Sequence, residues 1–178
     1  MRHLTVITGP MCSGKSDALI RLLSTFHQGD VAAARPVIDT RDNTSRITSR
    51  TGASIDAIKF TSPSGLLHRL VDLGRPPVVA IDEAQMMAEE DLSFLVGVLL
   101  GADTHVIVCG LLHDWQRIPF AGVLQCVGMA DDNIMLKARC SICGEPANWS
   151  KRLTASTKRI DPGHEYEPRC SRCWEASL

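Results

Sequence analysis

Residues 9–16, Gly9-Pro10-Met11-Cys12-Ser13-Gly14-Lys15-Ser16, fit the pattern G-x-x-x-x-G-K-[ST]. No other feature narrows the fold as far. The pattern works only where a strand runs into a glycine-rich turn and a helix starts at once, so that loop N–H groups and the helix N-terminus converge on one anion. Both neighbours are in place. Leu4-Thr5-Val6-Ile7-Thr8 is a short, β-rich apolar run, and from Ser13 to Phe26 the residues Ala18, Leu19, Leu22, Leu23 and Phe26 recur at helical spacing. The whole loop, Gly9 to Ser16, is therefore a candidate cradle for a nucleoside triphosphate. Lys15 would reach the β and γ phosphates, and the Ser16 hydroxyl would ligate Mg²⁺. The plainer alternative is a glycine-rich turn with a surface lysine.

The rest of the chain repeats the strand–helix alternation. Val31 to Ile38 reads as a second strand with Pro36 near its end, and Thr40 to Ser54 as a polar loop with at most a hairpin. Ser62-Pro63 is an N-cap with proline at the first helical position, ahead of Leu66, Leu67, Leu70 and Val71. Val78–Ile81 is a buried strand ending in Asp82-Glu83. Glu89 to Leu100 is a helix stopped by Gly101, His105–Cys109 is a strand ended by Gly110, Leu111 to Gly122 is a loop, and Ile134–Ala138 leads into a cysteine-rich end. This order predicts an α/β fold: a parallel sheet with helices on both faces. Ligands of such sheets bind beyond the carboxyl ends of the strands. Gly9–Ser16, Asp39–Arg41, Asp82–Gln85 and Leu111–Phe120 then share one edge. Asp82 is placed to hold magnesium and Glu83 to act as a base, as in a Walker B strand; a solvated Asp-Glu turn is the bland alternative.

Seven cysteines occur, and four of them, Cys140, Cys143, Cys170 and Cys173, form two C-x-x-C pairs separated by 26 residues. Two such turns close four sulfurs around Zn²⁺ at ~2.3 Å. A disulfide framework fits poorly with an odd cysteine count, and a redox dithiol fits poorly with two pairs. A closed four-thiolate site has no open position, so its expected role is structural. The expected division is residues 1–138 as a nucleotide-binding part and 139–178 as a zinc-held part. Lys and Arg number 19 against 20 Asp and Glu, a net charge of -1. That excludes the strongly basic footprint of a stable nucleic-acid binder. The most apolar stretch, Leu92 to Ala102, falls short of the roughly 18 residues of a membrane span, and the short run after Met1 is no secretory core, so a cytoplasmic location without membrane partners is expected.

Gly-Pro-Met-Cys-Ser-Gly-Lys-Ser, Asp39-Thr40-Arg41, Ser49-Arg50-Thr51-Gly52, Ile81-Asp82-Glu83-Ala84-Gln85, Gly110-Leu111 to Trp115 with Pro119-Phe120, Ser150-Lys151-Arg152 and Tyr166 before Cys170 occur in this order. Together with the cysteine pairs, over nearly the whole chain, this series resembles the type II thymidine kinases, the P-loop and zinc-containing family. The resemblance implies a P-loop (RecA-like) sheet plus a small C-terminal zinc domain with a lasso loop. It implies transfer of the ATP γ-phosphate to the 5′-hydroxyl of thymidine or deoxyuridine in nucleotide salvage, with Glu83 as general base. Asp39, Thr40, Arg41, Arg50 and Gln85 match positions near the nucleotide, with Lys151 and Arg152 as further candidates. Met11, Met86, Leu111, Trp115 and Phe120 would line an apolar base slot, with Ile160 and Tyr166 reaching it from the lasso. A homotetramer is also implied. The sequence departs from the family pattern at Met86 and Met87, where aromatics are usual, at Trp115 for a usual Phe, at Leu112 for a usual Asp, and in a shorter lasso turning at Asp161-Pro162-Gly163. Two other readings stay open on the residues alone: a P-loop ATPase whose zinc module binds nucleic acid, and a catalytically dead nucleotide-binding regulator.

Overall fold

Burial alternates along the strands, and that alternation builds the layers. In the computed structural model, which describes residues 2–39, 44–161 and 165–176, β1 (His3–Thr8) sends Leu4 and Val6 to one core and Ile7 to another. In β5 (Val78–Ile81) and β6 (His105–Gly110), Val79, Ile81, Val106 and Val108 join the first core; Val78, Ala80, Ile107 and Cys109 join the second. Strands covered on both faces need no polar side, which is why they read as unbroken apolar runs.

The sheet has seven strands. Its order is β3 (Arg46–Thr48), β4 (Ser54–Phe60), β2 (Val31–Pro36), β5, β6, β1 and β7 (Asp132–Met135). Every pairing is parallel except β3 with β4. Helices α2 (Pro63–Asp72), α3 (Glu89–Gly101) and α4 (Ala121–Met129) fill the first core with Leu66, Leu95, Val123 and their neighbours; α1 (Lys15–Leu23) covers the other face with Leu19 and Leu23. The mostly parallel α/β fold with helices on both faces is thus as expected. The start of α2 is also as read: the Ser62 hydroxyl accepts from Gly65 N–H at 3.2 Å, and Pro63 opens the helix. Three elements are additional: the sequence reading had no helix over Ala121–Met129, no strand over Ser54–Phe60 and none over Asp132–Met135.

Beyond Lys137 the structure changes character. Two short hairpins follow, β8 (Ala138–Arg139) with β9 (Pro146–Ala147) and β10 (Trp149–Arg152) with β11 (Tyr166–Arg169), then α5 (Ser171–Glu175). Their buried cluster among the described residues is Ala138, Cys140 and Ala147, with Cys170 and Cys173 packed on it. Among the described residues no helix is long and apolar enough to cross a membrane. Thr40 and Arg41, expected near the nucleotide, and Pro162 and Gly163 of the lasso turn lie outside the described residues.

Candidate active site

The loop after β1 turns into α1 through Gly14, whose φ of 82° at the helix N-cap lies in the left-handed region that glycine enters without strain. Lys15 is buried and folds back across the loop, its Nζ donating to the Pro10 carbonyl at 2.8 Å. Met11 N–H donates to Ser150 Oγ at 2.9 Å, which ties the loop to β10. The Ser13 hydroxyl is buried with no hydrogen-bond partner among the described residues. In front of the loop lies a cavity of about 340 Å³, walled by Met11, Cys12, Gly14, Lys15, Ser16 and Glu83 on one side and by Thr48, Ser49, Arg50 and Thr51 of the β3–β4 turn on the other. That turn is anchored where α1 begins: Thr51 Oγ1 donates to Asp17 Oδ1 at 2.6 Å. This bond, with help from Arg21, holds the Asp17 carboxyl below its usual range.

Asp82 and Glu83 follow β5 into the same edge. Asp82 is buried, and its Oδ1 accepts the Glu83 N–H at 2.9 Å. Glu83 has φ 53°, a left-handed backbone that costs a residue with a side chain about 1–3 kcal/mol. The turn aims its carboxylate sideways, and Gln85 fixes it there: Gln85 Nε2 donates to Glu83 Oε2 at 2.6 Å, and Gln85 Oε1 accepts Leu111 N–H at 2.9 Å. The bridge requires glycine at 110, because a Cβ there would stand 2.6 Å from Gln85 Oε1. Beneath the pair, burial and then the Asp82 charge push the Cys109 thiol well above its ordinary pKa, so it stays protonated.

A second cavity, about 170 Å³, adjoins the first. Met11, Met86, Leu111, Trp115, Phe120, Ile160 and Tyr166 all line it, so every residue expected in the base slot comes to one place. Glu83, Met11 and Leu111 belong to both cavities. Arg152 stands behind the aromatic wall. It is buried, donates through Nε and Nη2 to the Tyr166 hydroxyl at 3.1 and 2.6 Å and through Nη1 to the Ser156 carbonyl at 2.7 Å, and lies 4.7 Å from the Trp115 ring centre.

The four expected zinc ligands also converge. The sulfurs of Cys140, Cys143, Cys170 and Cys173 all lie within 4.8 Å of one another. Burial pushes Cys140 up, but N–H groups at Cys170, Cys143 and Ile142 outweigh it and bring it down to about 6. Sulfurs bound to one zinc stand ~3.8 Å apart at ordinary Zn–S lengths, so the cluster is compatible with a structural zinc. Trp174, next to Cys173, and Trp149 of β10 sandwich the Arg117 guanidinium at 4.7 and 4.2 Å, which braces loop 111–120 against the cysteine end.

The family model for thymidine kinase matches residues 2–174 of the chain. The chain belongs to the thymidine kinase family. A protein named thymidine kinase from Mycoplasmoides gallisepticum (strain R(low / passage 15 / clone 2)) is 33% identical to it over 177 residues, covering 94% of this chain and 78% of that protein. Membership makes the chain a phosphate-transferring kinase and does not favour the reading as an ATPase that binds nucleic acid.

Within this thymidine kinase family member, not every expected site residue sits on a cavity wall. Gly9 and Pro10 face an adjoining groove with Trp149. Asp39 is buried and pairs with Arg35 at 3.3 Å. Both ends of the Gln85 amide are engaged within the protein. Conversely, His113, Asp114, Ser150, Arg159 and Asp161 also line the apolar cavity, although none of them was among the expected site residues. Arg152 was a candidate for phosphate contact on charge alone; burial behind Tyr166 is a property that only the fold reveals.

Proposed function

We propose that this member of the thymidine kinase family transfers the γ-phosphate of ATP to the 5′-hydroxyl of thymidine or deoxyuridine, giving the 5′-monophosphate for nucleotide salvage. The observation that carries the reading is the shared wall: Glu83 faces both the loop cavity and the apolar one. The polyphosphate lies in the loop cavity, held by backbone N–H groups from Gly9 to Ser16 and by Lys15, which exchanges its bond to Pro10 for phosphate oxygens. Arg50, with Arg41, neutralises the charge that spreads over the transferring group. The flat base enters the apolar slot between Trp115, Phe120 and Tyr166. Glu83 then orients the 5′-hydroxyl and takes its proton as the oxygen bonds to phosphorus and ADP departs.

Gln85 serves here as the positioning residue that fixes the base, in place of a phosphate contact. Ser16 and Asp82 would hold magnesium; a hydroxyl on the loop cavity and a carboxylate buried at the end of β5 are the oxygen donors a hard cation takes, and the ion would supply charge neutralisation at the β and γ phosphates when bound. Cys140, Cys143, Cys170 and Cys173 would hold zinc as a structural brace. We assign residues 1–138 to nucleotide binding and 139–178 to the zinc-held part that closes the base slot. A cytoplasmic homo-oligomer, a tetramer, completes the proposal; exposed Phe94 and Val98 on α3 offer apolar surface for contact between copies.

The test is ADP formation by zinc-replete protein with ATP, magnesium and a panel of nucleosides. Stimulation by thymidine or deoxyuridine is the expected result. Failure of every nucleoside to stimulate ADP release refutes the reading.

A further inference from the structure

We propose that Arg159 and Asp114 form a side-chain catch that holds segment 153–161 over the base slot, which makes Arg159 a positioning residue for nucleoside binding. The inference rests on the reading of that slot given above. The segment leaves β10 without regular structure and carries Thr154, Ser156, Thr157 and Lys158, so it has little apolar surface of its own. Its place depends on a few attachments. Trp115 Nε1 donates to the Lys158 carbonyl at 3.3 Å, and Arg152 holds the Ser156 carbonyl. Arg159 does more. Its Nε donates to Asp114 Oδ2 at 2.8 Å, its Nη2 donates to the Pro119 carbonyl at 2.6 Å, and its guanidinium lies 4.6 Å from the Phe120 ring centre.

The Asp114 side chain is 0% exposed, whereas that of Arg159 is 48% exposed. Asp114 Oδ1 accepts N–H groups of Gln116 and Ile118, both at 2.9 Å, and so ties the 114–118 turn together alongside its backbone bonds. Oδ2 is turned to Arg159. One carboxylate oxygen is thus structural and the other is the receiving half of a catch. A charge-assisted pair with one buried partner outweighs an ordinary surface ion pair. With its other partner half in water, it can still open. Movement of the segment would enlarge the slot: a cavity of about 170 Å³ is small beside ligand sites of roughly 300–1,000 Å³, so a nucleoside fits better once a wall gives way. Arg159 and Ile160 are that wall.

Asp114→Asn separates the two roles, because the amide oxygen keeps the turn while the NH₂ group faces the guanidinium. Arg159→Gln removes the catch from the other side, and Arg159→Lys keeps the charge without the two-pronged grip. We expect Asp114→Asn and Arg159→Gln each to raise nucleoside KM about tenfold, with the loss falling on KM and not on kcat. Arg159→Lys should be intermediate, and the double substitution no worse than the worse single. Hydrogen exchange in nucleoside-free protein carrying either single substitution should speed up about tenfold over residues 154–161 and not in the sheet strands. Unchanged exchange over that segment, additive single effects, or a loss confined to kcat would overturn the catch. If wild-type protein forms no ADP with any nucleoside, the kinase reading fails; the exchange measurement still decides whether the catch exists.

Discussion

The sheet and the cysteine-held end are stabilised by different physics, although they share one site. In the sheet, Leu4, Ile7, Leu19, Ile81, Leu92 and Ile107 are all buried to within 1% exposure, and apolar burial alone accounts for order. Past Lys137 the buried apolar cluster shrinks to Ala138, Cys140 and Ala147, and what remains is four converging sulfurs and arginine–aromatic stacks. One region folds by its own hydrophobicity; with zinc in the proposed four-sulfur site, the other would be conditional on a metal. The loop after β1 belongs to the first region, whereas Tyr166, Ile160 and Ser150 belong to the second. The two halves of the site should therefore fail separately.

Stripping the metal with a chelator, or with Cys140→Ser, should give the largest separation. Nucleoside binding should be lost, while ATP binding and the main thermal transition persist; calorimetric titration of each ligand with and without zinc checks this. Loss of both ligands together would show the regions to be one unit. Leu19→Ala attacks the other side. It should lower the stability of the sheet by about 2–5 kcal/mol in urea unfolding while zinc content per folded chain stays unchanged. Arg117→Ala targets the joint itself. Removing a cation from between Trp149 and Trp174 should cost about 1–2 kcal/mol of docking, seen as a several-fold rise in nucleoside KM with zinc retained and ATP KM unmoved.

Legibility in the sequence followed the same division. The turn from β1 into α1 and the ends of β5 and β6 could be read because their residues are contiguous and their strands buried on both faces. The cysteine cluster was read from two short spacings. Helix α4, Ala-Gly-Val-Leu-Gln-Cys-Val-Gly-Met, was missed: it is apolar nearly all round and holds two glycines, so it shows neither an amphipathic stripe nor good helix propensity. Strand β4 was missed because Ser-Ile-Asp-Ala-Ile-Lys-Phe interrupts its apolar residues with Asp and Lys and adjoins a polar stretch. Asp114 and Arg159 lie 45 residues apart, and no local rule pairs them. Arg152 shows in sequence only its charge, which suggested phosphate; its burial comes from β10 pairing with β11.

Glu83→Gln tests the central claim most directly, since Glu83 joins the two cavities. The amide keeps the size of the side chain and removes its basicity. Thymidine-dependent ADP formation should fall by about 10²–10⁴-fold while ATP and thymidine still bind with near wild-type affinity. Turnover at the wild-type rate would contradict the assignment of Glu83 and, with it, the mechanism built on the shared wall.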